Sequence, residues 1–242
     1  MLTGPQQISA SDWGVITSSQ NCPLGTKAIT VDGREFRYGL AGASALAVGK
    51  LAQQSAVVTN HVVQTVQAAA ALGATQVSIT IGATAATANQ YAGGYLTIQD
   101  SVGAGSSYLI AGNAAAASSG TLVVTLAEPL TLALTTASKC SLNAHPYANM
   151  IIGQASGTTT VNYITGVPGI AVTAANYGWF QVEGIAAVFV DGTPAAGSGV
   201  VVGTTAGAVA IEAAASVTPR LGVVYGSAGV DGKYTSINLA IA

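Results

Sequence analysis

The chain has 242 residues, of which only 7% are charged, with seven basic and nine acidic side chains and a formal net charge of −2. Typical soluble domains carry about 25% charged residues, so a surface this poor in charge needs an explanation. Seven basic residues cannot build the patch that phosphate backbones require, and we therefore exclude nucleic acid as an expected partner.

The long uncharged stretches predict neither a membrane span nor a secretion signal. A spanning helix needs about 20 consecutive apolar residues, whereas Gln, Asn and His interrupt residues 51–99. The opening MLTGPQQISASDW has no basic n-region and no apolar core, unlike a signal peptide. Because low-charge surfaces promote association, we expect copies of the chain or another protein to cover much of its exterior. A monomer solvated by Ser, Thr and Asn is the alternative.

Residues 1–32 predict an extended N-terminal arm that is irregular, polar and rich in Gly and Pro, with Trp13 as its large anchor. Asp32-Gly33 predicts a turn before a short strand at Glu35–Tyr38. Cys22 and Cys140 follow no metal-ligand spacing and are expected to be buried thiols; whether they pair stays open.

Residues 33–146 predict a β domain, in which 67–146 can be an inserted β module. Segment 56–67 mixes helix-favouring Ala and Gln with strand-favouring Val and Thr, and we interpret it as strand. Period-two alternation predicts strands in QVSITIGA, GYLTIQD, SYLIAG and TLVVTLAEPL. Turns are expected at Gly82, Gly93-Gly94, Gly103–Gly105, Gly112-Asn113 and Ser119-Gly120, a spacing typical of a small sandwich or barrel. One short helix is expected after Pro129.

Residues 147–242 predict a C-terminal β domain of short strands, GIAVTA among them, separated by Gly, Asn or Asp. Its densest part is YGWFQVEGIAAVFVDG at residues 177–192. Gly184 is expected to bend or bulge the chain before a second strand at Ile185–Val190. The expected faces of the first strand carry Trp179, Gln181 and Glu183 on one side, and Tyr177, Phe180 and Val182 on the other. We interpret the patch as core packing with an interface edge; a ligand platform is the alternative.

No pattern of titratable residues predicts catalysis. The two histidines, His61 and His145, accompany no G-x-S-x-G elbow. The aspartates lie mostly beside turn glycines, which leaves Glu183 as the carboxylate with the strongest case for a functional role. Phosphate-loop, dinucleotide, calcium-loop and zinc spacings are absent from the sequence. We expect no catalytic residue, no metal site, no cofactor and no enzymatic activity.

Three stretches resemble bacteriophage capsid cement proteins, also called head decoration proteins. DGREFRYGLAGASALAVGKLA is similar to their opening, where an aromatic strand leads into a small-residue strand and a Gly turn. GVPGIAVTAANYGWFQVEGIAAVFVDGTPAAGSGVVV and RLGVVYGSAGVDGKYTSINLAIA resemble their later and closing strands. GYLTIQDSVGAGSSYLIAGNAAAASSGTLVVTLAEPL resembles a β module of larger phage virion proteins. The resemblance spans residues 33–242. It rests on the order of aromatic strands, small-residue strands and glycine turns, not on an invariant motif.

The resemblance implies an all-β fold of sandwich or barrel modules, tulip-like, with an extended N-terminal arm. It implies a structural protein, made in the bacterial cytoplasm, that joins the exterior of the phage head. Such proteins form trimers or dimers, a homotrimer being favoured here, and stabilise contacts between capsomers of the major capsid protein. No nucleic acid, membrane or cofactor is implied.

The expected interface is built from the N-terminal arm and the aromatic strands. The arm would add a strand to a neighbouring subunit and bury Trp13 there. Arg34 and Arg37 would bind carboxylates of the capsid or of another subunit, a solvated strand edge being their alternative role. The expected interface residues are Trp13, Arg34, Phe36, Arg37, Tyr38, Tyr177 and Trp179.

A carbohydrate- or receptor-binding virion surface protein, such as a head fibre or adhesin, is the alternative function. It would stack sugar rings on Tyr177 and Trp179 at a distal tip. A cement protein predicts buried aromatic side chains, whereas a receptor binder predicts exposed ones, so the exposure of these two rings separates the hypotheses.

Overall fold

The computed structural model describes residues 6–158, 163–213 and 219–241, and confirms the predicted all-β class. The chain forms two compact units, the first made of Met1–Ala56 with Pro146–Ala242 and the second of Val57–His145. No helix in the described ranges is long and apolar enough to cross a membrane.

The strands are short, apart from one of 13 residues, and follow the chain in three blocks. The first unit begins with β1 (Gln6–Gln7), α1 (Ala10–Trp13), β2 (Lys27–Ile29), β3 (Glu35–Leu40) and β4 (Ala52–Gln53). The second unit has a 3-10 helix (Thr59–His61) followed by β5 (Gln64–Val66), β6 (Gln76–Thr80), β7 (Tyr95–Asp100), β8 (Ser107–Asn113), β9 (Thr121–Leu126) and β10 (Lys139–Asn143). The chain then returns to the first unit with β11 (Ile151–Ile152), β12 (Ile164–Pro168), β13 (Tyr177–Phe189), β14 (Gly199–Val202), β15 (Val209–Ile211), β16 (Gly222–Val224) and β17 (Tyr234–Ala240).

The first unit is organised around an 11-stranded sheet in which β13 is central. Its main path runs β1-β2-β3-β13-β17-β16-β14-β15, while β12 joins β13 to β4, which also pairs with β11. Residues 178–182 of β13 are all buried, whereas the rest of β13 and the whole of β17 alternate between the core and the surface, with Val188, Ile237 and Leu239 buried. This alternation leaves the opposite face of the same strands exposed.

The second unit is a closed six-stranded barrel with the strand order β10-β5-β6-β9-β8-β7. Every second residue of TLVVTL lies in the core, namely Leu122, Val124 and Leu126. In the same way YLTIQD places Leu96 and Ile98 in the core. A barrel of this size is filled by its own side chains, so it offers a packed core and no lumen.

The division into units differs from the predicted boundary at residue 33, whereas the predicted boundary at residue 147 lies one residue from Pro146, where the first unit resumes. Residues 33–56 belong with the C-terminal strands because β3 pairs with β13 through Phe36–Gln181 and Tyr38–Trp179. The barrel covers Val57–His145, where the sequence suggested an insertion over 67–146. Pairing between distant segments, which local patterns do not encode, sets these limits.

The N-terminal segment is not extended in the part that the structure describes. β1 pairs in parallel with β2, which pairs with β3 of the same chain. The Asp12 carboxylate accepts hydrogen bonds from the backbone and hydroxyl of Ser9, which tightens the turn carrying Trp13. Trp13 packs within its own unit, against Phe36.

Four local predictions were wrong. The described residues after Pro129 form no helix before β10, because Leu130 and Leu134 extend into the barrel core and pair with Ala74 and Ala70. Gly112-Asn113 lies within β8 and not in a turn. Segment 56–67 is a 3-10 helix and a three-residue strand, and GIAVTA contributes only an isolated bridge at Val172.

The long strand β13 also departs from the predicted pair of strands. Gly184 has φ +84° and lies beside a register shift, but β13 continues through it to Phe189. Tyr177 lies on the same face as Trp179, since both rings contact Tyr38, and the sequence analysis had placed it on the opposite face.

The stability of the barrel unit is expected to fall in mild acid because of His145. Burial lowers the pKa of His145 below its ordinary 6.5, so between the two pKa values the unfolded chain binds more protons than the folded chain. The stabilising contribution is present above about pH 6.5 and is lost as pH falls toward the folded pKa. Hydrogen exchange of residues 57–145 at pH 7.5 and 5.5 measures the loss, which His145→Gln should reduce. An identical loss in that variant would contradict the assignment.

Candidate functional site

Five aromatic side chains form one cluster in the first unit. We call Trp13, Phe36, Tyr38, Tyr177 and Trp179 the aromatic cluster. The Trp13 and Phe36 rings stack at 5.8 Å between centroids, and the Tyr38 and Tyr177 rings stack at the same distance. Trp179 meets the Tyr38 ring edge-on at 5.1 Å. The pairing of β3 with β13 brings the other four rings together, as cross-strand aromatic pairs do in sheets, and α1 adds Trp13 by stacking it on Phe36.

Most of the cluster is core and not surface. Phe36, Tyr38 and Trp179 are buried, Trp179 being only 8% exposed, while Trp13 and Tyr177 are half-buried. The Tyr38 hydroxyl accepts a hydrogen bond from the Asn21 backbone at 3.1 Å, so even its polar end is used inside the unit. Three of the seven predicted interface residues are therefore covered by their own chain.

The two arginines have different surroundings. The Arg37 guanidinium donates to the carbonyl of Gly25 at 3.2 Å and is half-buried. Arg34 lies over the cluster, with its guanidinium carbon 5.5 Å from the centre of the Trp13 ring and 5.7 Å from that of Phe36. Its Nε donates to the Asp32 carboxylate at 2.8 Å. Hydrogen bonds from the Thr30 hydroxyl and from Arg34 lower the pKa of Asp32.

Two glycines permit this packing of Trp13 and Arg34. A Cβ on Gly169 would lie 2.5 Å from the Trp13 ring, so the indole rests directly on the backbone there. A Cβ on Gly184 would lie 3.0 Å from Arg34 Cγ, and φ +84° at this residue disfavours any L side chain. The sequence analysis assigned Gly184 only to a bend or bulge of the strand.

A cavity of about 200 Å³ opens beside Arg34 and Trp13. Its remaining walls include the buried Gln181 together with Val48, Val167 and Ile185. The Gln181 amide nitrogen donates to the carbonyls of Glu183 and Ile185, which fixes that side chain at the bulge of β13. The cavity could not be predicted from local sequence patterns, because its walls come from five separated segments of the chain.

The exposed face of β13 and β17 borders the cavity. Exposed Glu183 lies at one end of this face and the Lys50 ammonium lies over the Phe189 ring at the other, and the described residues between them carry no charge. We call Ile185, Ala187, Tyr225, Tyr234, Ser236 and Asn238 the neutral face. Ile185 pairs across the sheet with Asn238, and Ala187 pairs with Ser236. Ile185 is 44% exposed and Tyr234 is 51% exposed. The alternation in YTSINLA was the available signal, since Tyr, Ser and Asn recur at every second position.

The two cysteines are free thiols in different units. Burial raises the pKa of Cys140 to about 12, and it also raises that of Cys22. A thiol with a raised pKa is a poor nucleophile at neutral pH. Neither cysteine adds chemistry to the aromatic cluster, and the described residues hold no group of three or more potential metal ligands.

Comparison of the chain with protein-family models, with curated proteins and with solved structures gives no match.

Proposed function

We propose that the chain is a structural virion protein that oligomerises on the outer surface of an icosahedral phage head and stabilises contacts between capsomers. The neutral face is the observation that carries the proposal. The exposed residues of β13 and β17, together with Tyr225 just after β16, form a surface of small, apolar and uncharged polar side chains between Glu183 and Lys50. Natural sheets usually protect exposed surfaces with charge, so a surface without it is suited to a partner.

A second copy of the chain is the occupant that we assign to this face. A neutral surface offers no electrostatic selection for a charged partner, whereas it matches an identical neutral surface in a symmetric contact. A stable contact buries about 800 Å² per partner. The resemblance to head decoration proteins supports the second part of the proposal, that the oligomer binds the major capsid protein.

The sugar-binding alternative is not supported by the aromatic residues. A sugar platform needs exposed rings, but Trp179 is buried and the Tyr177 ring is stacked on Tyr38. The half-buried Trp13 ring is flanked by Phe36 and Arg34. We therefore propose no second function.

The first test is the mass of the purified chain in solution, followed by sedimentation with undecorated phage heads. A trimer or dimer that saturates the heads at a fixed ratio supports the proposal. A chain that stays monomeric and does not sediment with heads contradicts it. An oligomer that ignores heads contradicts the decoration role.

Ser236→Lys is expected to disrupt the oligomer by placing a charge in the centre of the neutral face. Because two copies would bring like charges together, the association constant should fall at least about tenfold. Ser107→Lys is the matched control, since Ser107 is an exposed strand serine of the barrel unit. Analytical ultracentrifugation of the two variants measures the difference. Equal dissociation constants would argue against the neutral face as the contact.

A further inference from the structure

Arg34 has unused hydrogen-bond donors at the wall of a cavity. Only its Nε has a partner, Asp32, and no acceptor in the described part of the chain meets its two terminal nitrogens. Its side chain is 26% exposed, so a ligand that enters the cavity can reach these donors. A guanidinium can bind a carboxylate through two parallel hydrogen bonds. The two terminal nitrogens of Arg34 remain free to form such a pair.

The indole of Trp13 provides a second unused donor in the same place. Its Nε1 is buried and has no acceptor among the described residues. Buried N–H groups are nearly always hydrogen-bonded in folded proteins, so an unpaired one needs an explanation. Trp13 and Arg34 both line the cavity. Trp13 therefore places a buried, unpaired N–H beside the cavity, whereas Arg34 provides the donors that a ligand in the cavity can reach.

The other walls determine what else the ligand must contain. Val48, Val167 and Ile185 are apolar, so a purely ionic ligand would lose its hydration there without compensation. A purely apolar ligand would cover the Arg34 donors and leave them unpaired, which is equally unfavourable. Because Asp32 already pairs with Arg34, a doubly charged phosphate would leave more uncompensated negative charge at the site than a carboxylate would. The combination selects a single carboxylate joined to a small apolar group.

The volume limits the size of this ligand. A cavity of about 200 Å³ corresponds to about seven water molecules at about 30 Å³ each. This is below the range of about 300–1,000 Å³ for drug-sized ligands. One branched aliphatic group with its carboxylate is of suitable size.

We propose that the cavity beside Arg34 and Trp13 is a binding site for a small aliphatic carboxylate, in which Arg34 binds the carboxylate and Val48, Val167 and Ile185 contact the aliphatic group. The carboxylate can belong to a free acid or to the C-terminal residue of a peptide. This site does not require the proposed virion function, but it shares Ile185 and Ala187 with the neutral face, so a second copy bound there would compete with the ligand.

The test titrates the whole chain with 4-methylpentanoate, with its amide, and with acetyl-Ala-Leu carrying a free carboxylate. Both tryptophans lie in the first unit, so their fluorescence reports on this part of the molecule, and the backbone amide signals of Gly169 and Ala186 locate the site by NMR. We expect the amide to bind at least about tenfold more weakly than the acid, the loss given by removing a charged hydrogen bond. Tighter binding of the free acid identifies a small metabolite as the source, and tighter binding of the peptide identifies a protein terminus.

Arg34→Gln is expected to weaken acid binding about ten- to a hundredfold, with Arg37→Gln as the matched control outside the cavity. Because Arg34 also packs on Trp13, the wild-type comparison of acid with amide provides a test that needs no variant. Equal binding of acid and amide, binding of neither acid nor peptide, or full acid binding by a folded Arg34→Gln variant would overturn the proposal.

Discussion

Phe36→Ala is expected to lower the free energy of unfolding of the first unit by about 3–5 kcal/mol, the usual cost of truncating a buried phenylalanine. Phe36 is 1% exposed and stacks against Trp13, so its removal opens a cavity that the rigid sheet cannot close. With a slope of about 2 kcal/mol per molar urea, the unfolding midpoint should fall by about 2 M. Tryptophan fluorescence measures this because Trp13 and Trp179 both belong to the first unit.

The same substitution is expected to loosen the N-terminal segment. Trp13 stacks on Phe36, so Phe36→Ala removes that ring contact from α1, and hydrogen exchange of residues 8–17 should accelerate. Val31→Ala is the control, because Val31 is fully exposed. Its truncation should change the free energy of unfolding by no more than about 0.5 kcal/mol and so leave the urea midpoint almost unchanged. A midpoint for Phe36→Ala as close to wild type as that of Val31→Ala would show that the aromatic cluster does not hold the sheet together.

Tyr91→Phe is expected to destabilise the barrel unit by about 1–3 kcal/mol, because it leaves a buried imidazole nitrogen without its partner. His61 is fully buried; its Nδ1 is hydrogen-bonded to the Tyr91 hydroxyl and its Nε2 lies 2.8 Å from the carbonyl of Thr84. A carbonyl can only accept, so Nε2 carries the hydrogen and Nδ1 accepts from the tyrosine. The ring shape is kept in the variant, so only the hydroxyl is removed.

Hydrogen exchange of the amides in residues 57–145 measures the loss in the barrel, since both tryptophans lie outside it. Burial raises the pKa of Tyr91 to about 12, so the hydroxyl stays a donor throughout the neutral range. Tyr95→Phe is the control. Tyr95 is the first residue of β7 in the same unit, but its ring is exposed on the outer face of that strand. Equal protection factors in the two variants would mean that the His61–Tyr91 hydrogen bond contributes nothing to stability.

The candidate site was only partly predictable. Trp13, Arg34, Phe36, Tyr38 and Trp179 attracted notice because large and charged side chains are scarce in this sequence, and the structure gathers all five in one place. Which of them stay accessible could not be predicted, because burial depends on what the opposite strand supplies. The scarcity of large and charged side chains singled out these residues, but only the packing of the folded chain determines which of them are buried and which line the cavity.

The cavity and the neutral face required more than local patterns. The sequence predicted which face of β13 carries Gln181. It could not predict that Gln181 lines a cavity, because the cavity also needs Arg34 and Val48, which lie more than 130 positions earlier in the chain. Ser236 and Ala187 form one surface only because β13 and β17 pair in a particular register. A shift of one residue would exchange the buried and exposed sides of either strand.

The sequence by itself determined the all-β class and most strands of the barrel. Alternating residues, short runs of Val, Ile and Leu, and recurrent glycines act over a few positions, and such local preferences can be read without the fold. The tertiary structure alone decided that residues 33–56 join the C-terminal strands, that Trp13 packs on its own chain, and that Leu130 and Leu134 extend into the barrel and not into a helix. Each of these depends on contacts between segments far apart in sequence, whose energy exceeds local propensity by burying apolar side chains and pairing the backbone.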